Sequence, residues 1–129
     1  MSKLVLLVTR EGLGQVDPSD RPFGLEMFDR LLHAFESQPV KPQAICFYTD
    51  GVKLLCQGST VLLGLKILQS QGVRLLACRT CLEHFGLLDK VAVGDIGGMN
   101  DIVRLLTEAD SVLTVGGGAL YQVKGRPAA

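Results

Sequence analysis

Short apolar runs of strand length alternate with segments of helical period along this 129-residue chain. Such an order is typical of a parallel sheet whose strands are connected by crossover helices. The predicted strands cover residues 4–9, 44–49, 73–77, 91–93 and 111–115. The predicted helices cover residues 23–37, 59–71, 78–85 and 100–108. We therefore expect an α/β fold with a mainly parallel sheet of five strands.

Length and composition indicate one compact domain spanning residues 1–129. With 47% apolar and 20% charged residues, the chain can fill the core that a domain of this size needs, which excludes a disordered protein. Thirteen basic residues balance 13 acidic ones, and no basic block is present to neutralise phosphates. We therefore expect no nucleic-acid partner.

The N-terminal sequence and the cysteine content predict a cytoplasmic protein with reduced thiols. The longest apolar stretch near the N-terminus covers residues 4–8. It is too short for a signal-peptide core of about 7 to 15 residues or a membrane span of about 20. Without secretion or membrane insertion, the four cysteines argue against a disulfide framework, because cytosolic reductants keep thiols reduced.

The second predicted helix has two apolar stripes. Val61, Leu62, Leu65 and Leu68 share one face, whereas Leu63 and Ile67 lie on the far side. One sheet cannot bury both stripes. Two interpretations remain open, namely that a neighbouring loop covers the outer stripe or that it forms a subunit interface.

The strongest local signal is the sequence Cys78-Arg79-Thr80-Cys81, where the third predicted strand ends and a helix begins. In parallel α/β sheets, ligands bind beyond the carboxyl ends of the strands. A helix N-terminus and the Arg79 guanidinium both favour a thiolate, so we expect a nucleophilic thiol, with the lower pKa at Cys78. His84 follows Cys81 by three residues and either holds a proton for that thiol or is an ordinary solvated residue.

Two chemical interpretations of this cysteine pair involve sulfur transfer or redox exchange. Persulfide chemistry needs a thiolate that accepts a sulfur atom and a second nucleophile that removes it. Thioredoxin-like exchange uses the same C-x-x-C spacing but requires a facing cis-proline, and no proline lies between Pro42 and Pro127. The spacing therefore favours persulfide chemistry without excluding redox exchange.

Two further interpretations are a zinc site and plain burial. Cys78, Cys81 and His84 would supply three zinc ligands, but a structural site wants four and no second ligand pair follows. Buried cysteines also act as small hydrophobic residues. For Cys46 and Cys56 burial is the interpretation that we prefer.

Glycine-rich segments follow the first and last predicted strands. Gly116-Gly117-Gly118 precedes no helix of useful length and no Lys-Ser/Thr pair. After the first strand, Gly12 and Gly14 are not followed by the third glycine of a dinucleotide fingerprint, since position 17 is Asp17. We therefore expect neither a nucleotide nor another cofactor.

Three motifs carry a resemblance to a known family. They are Phe47-Tyr48-x-x-Gly51-Val52-Lys53-Leu54, then Gly72-Val73-x-x-Leu76-x-Cys78-x-Thr80-Cys81-Leu82-x-x-Phe85-Gly86-Leu87, and Ala92-Val93-Gly94-x-x-x-x-Met99-x-Asp101-Ile102-Val103. With these motifs the chain resembles the DsrE-like sulfurtransferases. It is most similar to their YedF-like subgroup, which is associated with selenium metabolism.

The resemblance implies a three-layer α/β/α domain that accepts, carries and hands on sulfane sulfur as a cysteine persulfide, with selenium as an alternative cargo. It also implies a homo-oligomer, a trimer or a hexamer, and a TusA-like sulfur carrier or another donor or acceptor protein as partner. Two alternatives to this carrier function stay open. One is a non-catalytic structural subunit of a sulfur-relay oligomer, and the other is a C-x-x-C thiol redox protein.

The resemblance also implies the site residues. Cys78 stands eight residues before Gly86, the spacing of the carrier cysteine in the DsrE branch, and Cys81 is the second candidate. The chain departs from the family pattern at loop positions expected to line the pocket. The implied binding residues are Arg79, Thr80, His84, Gly51, Asp50 and Met99.

Overall fold

The computed structural model of the protein describes residues 3–13 and 17–115. The strands are β1 (Leu4–Val8), β2 (Ala44–Phe47), β3 (Arg74–Cys78), β4 (Asp95–Gly97) and β5 (Ser111–Val115). The α-helices are α1 (Arg21–Glu36), α2 (Leu62–Ser70), α3 (Arg79–His84) and α4 (Met99–Glu108). Short 3₁₀ segments cover Pro18–Asp20 and Thr49–Leu55.

All strands of the sheet are parallel, in the order β4-β3-β2-β1-β5. The three central strands are apolar, and most of their side chains are buried, as expected for strands covered on both faces. The predicted α/β class and the parallel sheet are therefore confirmed.

Helices cover both faces of this sheet. The chain moves stepwise from β1 to β4 across neighbouring strands and then returns to β5 at the other edge. Because such crossovers are right-handed, α1 and α2 lie on one face and α4 lies on the opposite face. On the first face α1 contacts α2, where Gly64 lies against the Leu32 side chain. The result is a three-layer α/β/α fold.

The predicted strand over residues 91–93 is wrong, because β4 lies a few residues later. Val91 instead forms an isolated antiparallel bridge with Cys56. Gly94, which has a φ of +89°, then turns the chain against Leu75, and the residues that follow pair with β3. Since β4 is short, exposed and begins with an aspartate, no apolar run marks it.

The second predicted helix begins three residues later than expected. Ser59 does not cap it; instead, the Ser59 hydroxyl oxygen accepts a hydrogen bond from the Val61 amide at 3.3 Å. Gly58, with a φ of +89°, supplies the turn before it. The 3₁₀ segment Thr49–Leu55 occupies the chain between β2 and this turn, and no pattern in the sequence predicted it.

The two apolar stripes of α2 have different surroundings. Leu65 and Leu68 are fully buried, whereas Leu63 is 68% exposed and Ile67 is half-buried. Within the described ranges, therefore, no loop covers Leu63. The subunit interface stays a prediction.

Two predicted features lie outside the described residues, namely the glycine run 116–118 and Gly14. Among the described residues, no helix is both long and apolar enough to cross a lipid bilayer.

Candidate functional site

The candidate site lies at the carboxyl edge of the sheet, where β2 and β3 end side by side. Cys78 is the last residue of β3 and the N-cap residue of α3. On the neighbouring strand, Tyr48 and Thr49 follow β2 directly. The sequence prediction that the cysteine pair lies at this edge is therefore confirmed by its position in the fold.

The two thiols of the pair differ in exposure. Cys78 is only 2% exposed, whereas Cys81, one turn further along α3, is half-buried. The Cys78 thiol acts on the Cys81 thiol through hydrogen bonding and charge, so the two side chains lie close together. A molecule that approaches from solvent therefore reaches Cys81 first and finds Cys78 behind it.

A backbone amide is directed at the outer thiol. The Thr49 N–H donates a hydrogen bond to the Cys81 Sγ atom over 3.0 Å. Thr49 has a φ of +51°, in the left-handed region that β-branched residues rarely adopt. The sequence predicted no role for this residue, because nothing in a threonine followed by Asp-Gly indicates a left-handed backbone at the threonine itself.

Burial dominates the acid–base behaviour of Cys81. Loss of solvent raises the pKa of this thiol above its ordinary value, because a thiolate is poorly solvated there. The Thr49 amide opposes that shift and lowers the pKa, whereas hydrogen bonding and charge from Cys78 raise it further. The resting site at neutral pH therefore holds Cys81 mainly as a thiol.

The polar side chains of α3 form an ion pair with each other or face solvent. The Arg79 Nε atom lies 3.6 Å from the Glu83 Oε2 atom, and both side chains are more than half exposed. Thr80 is exposed as well. Arg79 therefore pairs with a carboxylate of its own helix, and the pKa of Cys81 responds to burial rather than to this guanidinium.

His84 is exposed at the end of α3. Its ring packs edge-on against Phe85, with 5.0 Å between the centroids and 76° between the planes. Within the described part of the chain, no hydrogen bond joins the His84 ring to the Cys81 thiol. A role as proton holder would need the histidine to change rotamer.

The 3₁₀ segment after β2 is held tightly between β1 and α3. Gly51 lies so close to the end of β1 that a Cβ atom there would be 2.1 Å from the Val8 carbonyl oxygen. Asp50 forms an ion pair of 2.8 Å with Lys53, whose ammonium group lies 4.2 Å from the centre of the Phe85 ring. The segment that carries Thr49 is thereby joined to both neighbours.

Met99 lies on the other side of the cysteine pair. It is the first residue of α4 and is 52% exposed. The preceding strand places Gly97 opposite Cys78, and the Gly98 amide donates a hydrogen bond to the Asp101 carboxylate at 3.0 Å. This arrangement keeps the start of α4 beside the end of β3.

Two neighbouring clefts open beside the 3₁₀ segment. One, of about 430 Å³, includes Asp50 in its lining, and the other, of about 540 Å³, includes Lys53 and Phe85. Glu11 and Arg21 line both clefts and form an ion pair of 2.5 Å between them. The sequence did not single out this pair, because the loop before α1 has no recognisable motif.

The other two cysteines are buried in the core. Cys46 lies within β2, where loss of solvent raises its pKa to about 11. Burial also raises the pKa of Cys56, whose thiol donates a hydrogen bond to the Val52 carbonyl at 3.4 Å. Both behave as the sequence predicted, as small core residues.

Metal ligation was one interpretation of the cysteine pair with His84. In residues 3–13 and 17–115, no group of three or more His, Cys, Asp or Glu side chains is arranged to hold a metal ion. The described residues thus offer a pair of neighbouring thiols, one amide donor and two partly polar clefts.

A parallel three-layer α/β/α fold with a cysteine pair at the carboxyl edge of its sheet defines a small α/β protein with a thiol site. A family model matches residues 24–115, and the chain belongs to the DsrE/DsrF-like family. This confirms the family indicated by the sequence motifs. Membership implies a sulfur-relay role in general terms.

Solved structures share this fold. The protein of unknown function MTH1491 from Methanobacterium thermoautotrophicum is 22% identical, with a TM-score of 0.65, and the match covers 88% of this chain and 99% of that one. The ychN protein from E. coli is also 22% identical, with a TM-score of 0.61 and the same coverage of both chains. A protein of unknown function, BT1422 from Bacteroides thetaiotaomicron, is 17% identical, with a TM-score of 0.60, over 86% of this chain and 94% of that one. No curated protein matches the chain.

Proposed function

We propose that this protein carries sulfane sulfur as a cysteine persulfide and passes it to a partner protein. The observation that carries this proposal is the proximity of a buried thiol, Cys78, to a half-exposed one, Cys81, at the carboxyl edge of the sheet. Sulfur transfer needs one thiol that a donor can reach and a second nucleophile close to it. This pair has both properties.

In the proposed loading step, the Cys81 thiolate attacks the terminal sulfur of a donor persulfide, R–S–SH. The S–S bond of the donor breaks, the donor leaves as the thiolate R–S⁻, and the terminal sulfur is bound to Cys81 as Cys81–S–SH. The proton of the Cys81 thiol must leave before this attack, since the thiolate is the nucleophile. The step transfers one neutral sulfur atom and needs no external oxidant.

Unloading follows by one of two attacks. A partner's thiolate that attacks the outer sulfur takes it as a new persulfide and leaves Cys81 as a thiolate. Attack of the Cys78 thiolate on the Cys81 Sγ atom instead forms a Cys78–Cys81 disulfide and releases hydrosulfide. The sequence placed the first sulfur on Cys78; we propose Cys81 because it is the more exposed thiol.

The other implied properties belong to the same proposal. We infer a single domain, without a cofactor, located in the cytoplasm and assembled as a homo-oligomer through the exposed side of α2. A TusA-like carrier on another chain is the proposed donor or acceptor, and the YedF-like subgroup and selenium as cargo remain part of the proposal. The residues proposed to contact donor or acceptor are Arg79, Thr80, His84, Asp50 and Met99, whereas the buried Gly51 is proposed to shape the segment beside the site.

Two other functions are distinguished by one experiment. The proximity of the two thiols favours a redox protein, whereas the exposed Leu63 favours a structural subunit of a sulfur-relay oligomer. The reduced protein is treated with inorganic polysulfide, alkylated without reductant and digested with trypsin. Cleavage after Arg74, Arg79 and Lys90 places Cys78 and Cys81 on separate peptides.

We expect the mass of one sulfur atom to be added to the Cys81 peptide. The Cys81→Ser variant should lose that adduct, and Cys56→Ser should keep it, because Cys56 lies in the core. Loss of two hydrogens without added sulfur would establish the redox function if the Cys78→Ser variant, in which this disulfide cannot form, also gained no sulfur on the Cys81 peptide. Neither change on either peptide would leave the structural subunit as the function.

A further inference from the structure

Thr49 has a backbone conformation that its side chain disfavours. Its φ of +51° lies in the left-handed region, and among the described residues it is the one non-glycine residue found there. A β-branched residue held in such a conformation indicates that the surrounding structure imposes it, and such residues cluster at functional sites.

Contacts to the end of β1 hold this conformation. The Thr49 hydroxyl lies 2.8 Å from the Thr9 carbonyl oxygen and 2.6 Å from that of Tyr48, and its single proton serves these two acceptors. The Tyr48 amide donates to the Val8 carbonyl oxygen at 3.1 Å. Tyr48, through its amide, and Thr49, through its hydroxyl, are therefore both hydrogen-bonded to the end of β1.

The Thr49 N–H lies toward α3, where the Cys81 Sγ atom accepts its hydrogen bond at 3.0 Å, and the left-handed torsion follows directly at the same residue. Because the Tyr48 carbonyl and the Thr49 N–H belong to one planar peptide unit, the hydroxyl that bonds to this carbonyl also fixes the direction of the N–H. The strained backbone and the N–H···S contact are thus two aspects of one geometry, and the hydroxyl is the part of the side chain that maintains both.

We propose that Thr49 is a positioning residue, whose hydroxyl holds its own backbone N–H on the Cys81 sulfur and so stabilises the thiolate that accepts sulfur. The inference rests on the proposed persulfide function and names a determinant of reactivity that no motif indicated. Among the contributions to the Cys81 pKa, the Thr49 hydrogen bond is the one that lowers it, against burial and Cys78. Among the described contacts, this amide is therefore the donor that favours the thiolate form.

Other charged and titratable groups lie on the elements next to this sulfur. Those on the neighbouring elements are Cys78 at the end of β3, Tyr48, Asp50 and Lys53 after β2, and Arg79, Glu83 and His84 on α3. The Asp50–Lys53 and Arg79–Glu83 charges are paired with each other. The amide is therefore distinct from these groups in donating directly to the sulfur.

The pH dependence of Cys81 alkylation by iodoacetamide tests the proposal in the otherwise native chain. The Thr49→Val variant keeps the shape but loses the hydroxyl, so the backbone should relax toward the β region that valine prefers. We expect the alkylation midpoint to rise by about one pH unit, which is about a tenfold lower rate at neutral pH. The plateau rate at high pH should change little, since it reports access to the sulfur.

Thr49→Ser retains the hydroxyl and should keep the midpoint of the native protein. Thr107→Val is the matched control, because it removes a hydroxyl that donates to the Arg104 carbonyl at 3.0 Å on α4. A folded Thr49→Val protein with an unchanged midpoint would overturn the proposal. So would an equal shift in Thr49→Ser.

A second measurement needs no variant at Thr49. In the native protein, the Thr49 amide proton signal should shift with pH at the same midpoint as Cys81 alkylation, and Cys81→Ser should abolish that shift. An amide signal that does not follow the Cys81 midpoint overturns the proposal. Neither measurement uses a sulfur donor, so the role of Thr49 is tested separately from sulfur uptake. The native protein can fail to take up sulfur while Thr49 still controls the Cys81 thiolate. It can also take up sulfur while the Thr49 variants leave the Cys81 midpoint unchanged.

Discussion

A Cβ atom at Gly51 would lie 2.1 Å from the Val8 carbonyl oxygen, closer than any real side chain is found to a backbone atom. This glycine lets the 3₁₀ segment after β2 pass over the end of β1. The same approach brings Thr49 against Thr9 and directs its amide toward Cys81. A backbone contact outside the C-x-x-C motif therefore shapes the surroundings of the outer thiol.

Gly51→Ala should destabilise the protein by about 1 to 3 kcal/mol, because the added methyl group must displace backbone atoms. The free energy of unfolding in denaturant measures this loss. Gly98→Ala is the control, since a Cβ there meets nothing within 4 Å, and it should cost less. Equal losses in the two variants would contradict the close approach at Gly51.

The single variants Cys78→Ser and Cys81→Ser allow the solvent accessibility and the pKa of each remaining thiol to be measured separately. We expect the remaining Cys81 to be alkylated faster at high pH than the remaining Cys78, because Cys78 is only 2% exposed. The midpoint of each pH profile tests the expectation from the sequence that Cys78 has the lower pKa. If Cys78 in the Cys81→Ser variant reacts faster at high pH than Cys81 in the Cys78→Ser variant, then Cys78 and not Cys81 is the thiol that is loaded first.

Alkaline pH should destabilise the fold through the buried thiol of Cys46. Its pKa rises to about 11 from an ordinary value of 9.0, so the folded state holds the proton more tightly than the unfolded state. The resulting stabilisation is fully present below pH 9.0 and is lost as pH rises toward 11. One such group gives a slope of at most about 1.4 kcal/mol per pH unit.

Unfolding free energies measured across this pH window check the effect. Cys46→Ala should reduce the slope, whereas Ile45→Val, in the same strand, should lower stability without changing the slope. The raised pKa values of Tyr48, Cys56 and Cys81 act in the same direction, so a smaller slope should remain in Cys46→Ala. An unchanged slope in that variant would exclude Cys46 as a source.

Association should cover the outer stripe of α2. Light scattering at micromolar concentration should give a mass that is a multiple of 13.9 kDa, and Leu63→Glu should shift it toward the monomer. Val40→Glu replaces another exposed apolar side chain, in the turn before β2, and should leave the mass unchanged. A native mass near 13.9 kDa would refute the predicted oligomer.

The alternation of apolar runs and helical periods was sufficient to predict the order of the elements and the parallel sheet. Burial on both faces requires continuous apolar residues in β1, β2 and β3, and that requirement is written in the sequence. The strand-to-helix junction placed Cys78 and Cys81 at the carboxyl edge for the same reason. The local sequence pattern therefore predicts those features of the fold that depend on which residues are buried.

The tertiary structure alone decided the remaining features. β4 carries no apolar run, so only its pairing with β3 identifies it. The unequal exposure of Cys78 and Cys81, the left-handed backbone of Thr49 and its hydrogen bond to Cys81 depend on how β1, the 3₁₀ segment and α3 pack together. These are contacts between residues 32 to 40 positions apart, and a short-range sequence pattern contains no information about them.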